Sequence, residues 1–142
     1  MEIKNKKAYF DYFVIKELEA GVELIGSEVK SIKKGDANLK DCFGKVKDDE
    51  IYIINMYVGK YNKANNTKYD ERRSRKLLLH KNEILRLKSE VMEEGLTLVP
   101  LKLYLKNNKV KLLLGLCKGK KLYDKRQTIK EKDLEMERRR EE

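Results

Sequence analysis

Leu101, Leu103 and Leu105 alternate with Lys102, Tyr104 and Lys106, two asparagines follow, and a second apolar run opens at Val110. A period of two places the leucines on one face of a strand and the polar residues on the other. Asn107-Asn108 supplies the positive φ angles that a tight two-residue hairpin turn requires. Leu96–Leu105 and Val110–Leu116 therefore read as an antiparallel hairpin. Any fold for this chain must bury one face of a sheet around it. Pro100, the single proline, has no N–H for a ladder and marks an edge or a bulge in the first of these strands. At 142 residues, the chain suits one domain with a modest core.

Upstream, Tyr9 to Leu18 mixes aromatic and β-branched residues and reads as a strand, with Phe10 and Tyr12 on one face and Tyr9 and Phe13 on the other. Glu19-Ala20-Gly21 reads as a turn and Val22 to Ile25 as a short second strand. Ser27 resembles an N-cap for a helix to Lys34, closed by Gly35. Leu39–Val46 and Glu50–Val58 alternate as two strands, with Asp48-Asp49 as the turn. Asp70 to Glu94 is helical in character: Asp70 can cap, Arg72, Arg73, Arg75 and Lys76 form a basic turn, and Asn82 caps a second helix. That helix carries a core stripe of Ile84, Leu87 and Val91 and ends at Gly95. Strands with two or three helices between them give an α+β domain. A small closed or half-closed barrel with basic loops is the kind of surface that oligonucleotide-binding folds use.

Charged residues make up 41% of the chain, with a net charge of +10 and a pI near 9.5. That balance calls for a polyanionic partner, nucleic acid first and a membrane surface second. No stretch is apolar enough to span a bilayer, and Met1–Lys7 lacks the apolar core of a secretory signal. Cys42 and Cys117 are far apart and His80 is the only histidine, so neither a disulfide, a zinc site nor any other cofactor is expected. The acids Asp36, Asp41, Asp48, Asp49 and Glu50 are candidate magnesium ligands for a nuclease, but acids clustered in turns are more often solvated. With no Gly-rich phosphate loop and no partner for His80, catalysis is not expected. Gly59 to Tyr69 interleaves Tyr61, Asn62, Asn65, Asn66 and Tyr69 with lysines. Such a loop can stack on unpaired bases or can be plain surface.

The last apolar strand ends near Cys117, which divides the chain into a globular part, 1–117, and a basic tail, 118–142. Lys118 to Arg126 holds five basic residues and one acidic residue. Such a segment is either a solvated terminus, disordered when free, or a phosphate-binding arm. Beyond Gln127 the only apolar residues are Ile129, Leu134 and Met136, too few for a core.

The ordered set of motifs resembles one family. It runs through Asn5-Lys6-Lys7-Ala8, Glu19-Ala20-Gly21, Gly26-Ser27-Glu28-Val29-Lys30-Ser31, Arg73-Ser74-Arg75-Lys76-Leu77-Leu78-Leu79, Leu103-Tyr104-Leu105-Lys106-Asn107, Lys118-Gly119-Lys120-Lys121 and Asp124-Lys125-Arg126. The chain is similar, over nearly its whole length, to the SmpB (SsrA-binding protein) family of trans-translation factors. The resemblance implies an OB-like antiparallel β-barrel with flanking helices that binds the tRNA-like part of transfer-messenger RNA. It also implies delivery of that RNA to stalled ribosomes in the cytoplasm by a monomeric, non-enzymatic factor. It assigns RNA contacts to Asn5, Glu19, Leu78 and Lys111. The tail residues Lys118, Lys120, Lys121, Tyr123, Asp124, Lys125 and Arg126 would contact the ribosome at the decoding centre and along the empty messenger channel. The family often has histidine where this chain has Tyr123; tyrosine keeps a stacking face but does not titrate near neutral pH.

Read singly, Lys111 lies between Val110 and Leu112 and points away from their core, as a phosphate contact or a solvated lysine. A carboxylate such as Glu19 repels phosphate but accepts from a base or ribose hydroxyl, adding specificity rather than affinity; otherwise it orients the Gly21 turn or a nearby arginine. Leu78, in an apolar run, favours burial. Glu28 and Lys30 can pair or contact RNA. A single-strand binder of the cold-shock type is the alternative function, distinguished by indifference to structured RNA.

Overall fold

The computed structural model describes residues 1–60 and 70–120. The C-terminal hairpin forms as expected, except that Leu101 packs apart from Leu103 and Leu105, which face the main core. Strand β8 (Thr97–Lys106) pairs with β9 (Lys109–Gly119) from Lys106↔Lys109 back to Thr97↔Cys117. Asn107 and Asn108 turn the chain at φ 52° and 64°, a type I′ geometry that matches the twist of the flanking strands. Leu103, Leu112 and Leu114 are wholly buried, and each contributes roughly 1.5–3 kcal/mol by leaving water. The ladder shifts register between Pro100 and Lys102, so the proline sits at a bulge where its missing N–H costs no ladder bond.

The other strands are β1 (Glu2–Lys4), β2 (Tyr12–Val22), β3 (Ala37–Asn38), β4 (Phe43–Lys47), β5 (Glu50–Ile54), β6 (Tyr57–Val58) and β7 (Arg75–Leu78). The main sheet runs β1-β8-β4-β5-β7-β2-β9, all antiparallel, and β9 pairs again with β8. The hydrogen-bonded path from β8 thus passes through five other strands and returns to β8. Its β4–β8 link is a single pair, Gly44↔Leu98. A Cβ on Gly44 would stand 2.7 Å from the Leu98 Cβ, so only glycine permits this approach. Strands β3 and β6 form a separate ribbon.

Among the described residues the helices on this sheet are α1 (Ala8–Asp11), α2 (Gly26–Lys33) and α3 (Lys81–Glu94). Ile32 of α2 and Ile84 and Leu87 of α3 join the main core with Ile51, Ile53, Leu77 and Leu112. Ala8 of α1 packs with Val99, Leu101 and Cys117 in a second cluster on the opposite face of β8 and β9. That cluster explains why Leu114 to Cys117 is buried on consecutive residues, where a one-sided strand would alternate.

Several local expectations are corrected. Tyr9 and Phe10 lie in α1, and β2 then continues unbroken to Val22, so Glu19-Ala20-Gly21 is mid-strand and no separate strand runs from Val22 to Ile25. The long ladder with β9, Tyr12↔Gly119 to Gly21↔Lys111, overrides the turn propensity of Gly21. Arg75–Leu78 is a strand, not helix, because β5 and β2 flank it; Asp70 makes an Asx turn, its Oδ1 accepting from the Arg72 N–H at 2.9 Å. Helix α3 is capped at His80 rather than Asn82, and α2 at Ile25 rather than Ser27. In both, a glutamate reaches back: Glu83 accepts from the His80 N–H at 3.0 Å and Glu28 from the Ile25 N–H at 3.1 Å. The expected strand from Leu39 begins only at Phe43, and positive φ at Asn55 divides the next into β5 and β6. Gly35, Gly95 and the Asp48-Asp49 turn all take the positive φ their positions demand. Strand β9 runs to Gly119, two residues beyond the expected end of the globular part at Cys117.

Candidate nucleic-acid interface

Strand register assembles the site. Leu78 of β7 pairs with Gly21 of β2, Gly21 with Lys111 of β9, and Lys111 with Tyr104 of β8. Directly opposed residues share a face, so this row crosses four strands on the outer surface, while Leu77, Val110 and Leu112 turn into the core. Leu78 is 52% exposed. The expectation that its apolar run would bury it is corrected: alternation along β7 sends Arg75 and Leu77 inward and leaves Lys76 and Leu78 outside. Gly21 supplies the gap in the row. A Cβ there would stand 3.3 Å from the Leu78 Cβ.

Glu19 lies two residues before Gly21, hence on the same face. Its Oε2 accepts the Tyr104 hydroxyl and its Oε1 the Lys106 ammonium at 3.3 Å. The tyrosine hydrogen bond, seconded by Lys106 and Lys111, holds the Glu19 carboxyl below the ordinary carboxylate value. Burial, with the same hydrogen bond, pushes the Tyr104 phenol up to about 12. Together Glu19, Gly21, Lys76, Leu78, His80 and Lys111 line an open cleft of about 530 Å³. Two lysines, a bare leucine and an ionised carboxylate offer a phosphate contact, an apolar face and a directed acceptor.

Asn5 is not among the residues lining that cleft. Its amide nitrogen donates to Pro100 O at 2.8 Å and its N–H to Leu101 O at 2.9 Å, tying the β1–α1 junction to the bulge in β8. Lys118 lies in β9 opposite Phe13. Lys120 donates to Tyr9 O at 3.0 Å, and its ammonium stands 5.1 Å from the Phe13 ring centroid. Lys121, Tyr123, Asp124, Lys125 and Arg126 lie outside the described residues, as do Tyr61 to Tyr69 of the aromatic loop.

Tyr104, Lys106, Lys76 and His80 are not among the residues to which the resemblance assigns RNA contacts. For Tyr104 a signal existed in its alternation with Leu103 and Leu105, but register alone places it beside Glu19. Glu28 is held by two arginines. It is wholly buried, with Arg73 at 2.6 Å and Arg75 Nε at 2.8 Å. Among the described residues no group of His, Cys, Asp and Glu could hold a metal, and no helix is long and apolar enough to cross a membrane. Burial pushes the Cys42 and Cys117 thiols up to about 12 and about 11, which keeps both protonated and inert.

The family model described as SmpB protein matches residues 2–142. The SsrA-binding protein of Caldicellulosiruptor bescii is 51% identical over 133 residues, 94% of this chain and 84% of the relative. The SsrA-binding protein of Clostridium perfringens is 53% identical over 129 residues, 91% of this chain and 83% of the relative. A solved chain described as "tmRNA-SmpB: a journey to the center of the bacterial ribosome" superposes with a TM-score of 0.70 at 43% identity, covering 84% of each chain.

Proposed function

Because the chain belongs to the SmpB family, we propose that it binds transfer-messenger RNA (SsrA RNA) and acts with it on the ribosome in trans-translation. It is an RNA-binding factor rather than an enzyme. The observation that carries the reading to particular residues is the meeting of Glu19, Leu78 and Lys111, from three strands, at one cleft. We read the closed pairing path from β8 through β9 as an OB-like barrel, and the cleft on its outside as the seat of the tRNA-like part of that RNA. Lys111 and Lys76 neutralise phosphates, Leu78 packs on a base or ribose, and Glu19 accepts from a base or ribose donor. Asn5 acts at one remove, fixing the start of α1 against β8. The tail is the second working part, in which Lys121, Lys125 and Arg126, with Lys118 and Lys120 at the end of β9, meet ribosomal phosphates and Tyr123 supplies a stacking face. Such work belongs to the cytoplasm and needs only a monomer.

The test is a titration with a tRNA-like RNA, repeated across salt concentrations, against an unstructured oligomer of equal length. The expected result is a preference for the tRNA-like RNA that persists as salt rises. A steep salt slope with equal affinity for both would leave only a nonspecific basic protein.

A further inference from the structure

We infer that Tyr104, seconded by Lys106, is a positioning residue that aims the Glu19 carboxylate at a neutral N–H or O–H donor of the bound RNA. This rests on the reading of Glu19, Leu78 and Lys111 as an RNA-contacting site. The register brings the two side chains together across β9: Tyr104 faces Lys111, and Lys111 faces Gly21. Glu19 lies two residues from Gly21 on the same face, within reach of the phenol. The hydroxyl donates to Oε2 and Lys106 to Oε1. The Lys102 ammonium stands 5.6 Å from the centroid of the Tyr104 ring and is itself bonded to Glu2 at 3.1 Å.

Each partner has a distinct capacity. A glutamate side chain alone samples several rotamers, whereas a tyrosine has two side-chain torsions and a rigid ring. The Lys106 ammonium is flexible and its side chain is 57% exposed; it brings charge but little aim. An ionised carboxylate offers about four acceptor positions. One bond to each oxygen leaves acceptor positions on both, and Glu19 lines the cleft. Near phosphates the negative charge opposes binding unless the RNA presents a donor there. An RNA without that donor leaves a partly desolvated charge unpaired. Discrimination therefore depends on where the carboxylate points, and its salt-dependent affinity depends on the lysines.

The groups facing Glu19 are Tyr104 and Lys106 from β8 and Lys111 from β9. Lys76 of β7, Glu50 of β5, and His80 and Glu83 at the start of α3 share the cleft. The experiment compares wild type, Tyr104→Phe, Glu19→Gln and the double variant. The probes are a transcript of the tRNA-like part of transfer-messenger RNA and an unstructured oligomer of the same length, bound across salt concentrations. Tyr104→Phe should cut the preference for the transcript roughly 5- to 10-fold, the size of one ordinary hydrogen bond, because Lys106 still holds the other carboxylate oxygen. The salt slope should be unchanged, because no phosphate contact is lost. In the Glu19→Gln background Tyr104→Phe should change nothing further. A carboxyl-carbon NMR titration of Glu19 should show its midpoint rising in Tyr104→Phe, a readout that general loosening of the strand would not move. Wild-type preference in Tyr104→Phe beside a loss in Glu19→Gln overturns the positioning role and leaves the site standing. Wild-type preference in both, with Lys111→Ala also silent, overturns the site and the positioning role together. A further loss in the double variant also overturns the inference, since Tyr104 would then act independently of Glu19.

Discussion

Every nitrogen of the Arg75 guanidinium donates a hydrogen bond inside the protein. Nε and Nη2 bond Glu28, Nη1 bonds the carbonyls of Met56 and Arg73, and Nη2 also bonds that of Glu71. Arg75 and Glu28 are both wholly buried, and the pair ties α2 to β7 and to the chain on either side. A buried pair of this kind is worth little more than well-packed apolar residues, but removing one partner strands a charge. Glu28→Gln should therefore cost about 3–5 kcal/mol at neutral pH, measured by urea unfolding. The pH dependence has a definite sign. Burial alone would raise the Glu28 carboxyl, but the hydrogen bonds of Arg73 and Arg75 outweigh it and hold the folded value below 4.5. The stabilisation is then whole above the ordinary carboxylate pKa and is lost as pH falls through the depressed folded value. The difference between wild type and Glu28→Gln should shrink across that acid range; a constant difference would mean the cost is steric. Part of this was open to sequence reading, since Glu28 and Ile32 are four apart and share a helix face. Its partner Arg75 was hidden, because the segment was read as helix and only a strand period puts Arg75 on the side of Leu77.

At the scale of elements, the end of β9 is where the division between body and tail is decided. Lys118 and Gly119 pair with Phe13 and Tyr12, and Lys120 reaches Tyr9 and Phe13. Of these partners Tyr12 packs against the second core cluster. A chain ending at Lys120 should unfold in one cooperative transition at nearly the urea midpoint of the full chain. One ending at Cys117 should lose roughly 1–3 kcal/mol through the missing ladder bonds and the loosened cover over Ala8 and Cys117. Equal midpoints for the two truncations would show that the last ladder pairs add no stability. Most of the hairpin to which β9 belongs was legible, because alternation, the Asn-Asn turn and the proline bulge are all local signals; that the bulge takes Leu101 off the face of Leu103 was not. The extension of β2 through Glu19-Ala20-Gly21 was not. Glycine after a small residue carries the local signature of a turn, and only the ladder to β9 keeps the chain extended there.

For the whole molecule the proposal is a division of labour between an RNA-holding body and a ribosome-reaching tail. Replacing Asp124, Lys125 and Arg126 together with alanine should leave affinity for the tRNA-like RNA within about twofold, as for changes remote from a site, and abolish peptide tagging on stalled ribosomes. Filter binding beside a tagging assay reads both; equal loss of the two would collapse the division. Taken alone, the sequence determined the family, the basic character, the α+β class, the core stripe of α3 and the outward direction of Lys111. Each of these depends on composition, on motif order or on a period of two or 3.6 residues. Tertiary structure decided that β7 is a strand, that Leu78 is exposed and Glu28 buried, that Asn5 braces a bulge, and that Tyr104 and Lys106 hold Glu19. Those facts depend on which strands lie side by side and in what register. Register is set by the packing of residues as far apart as Glu19 and Tyr104, which no local pattern in the chain records.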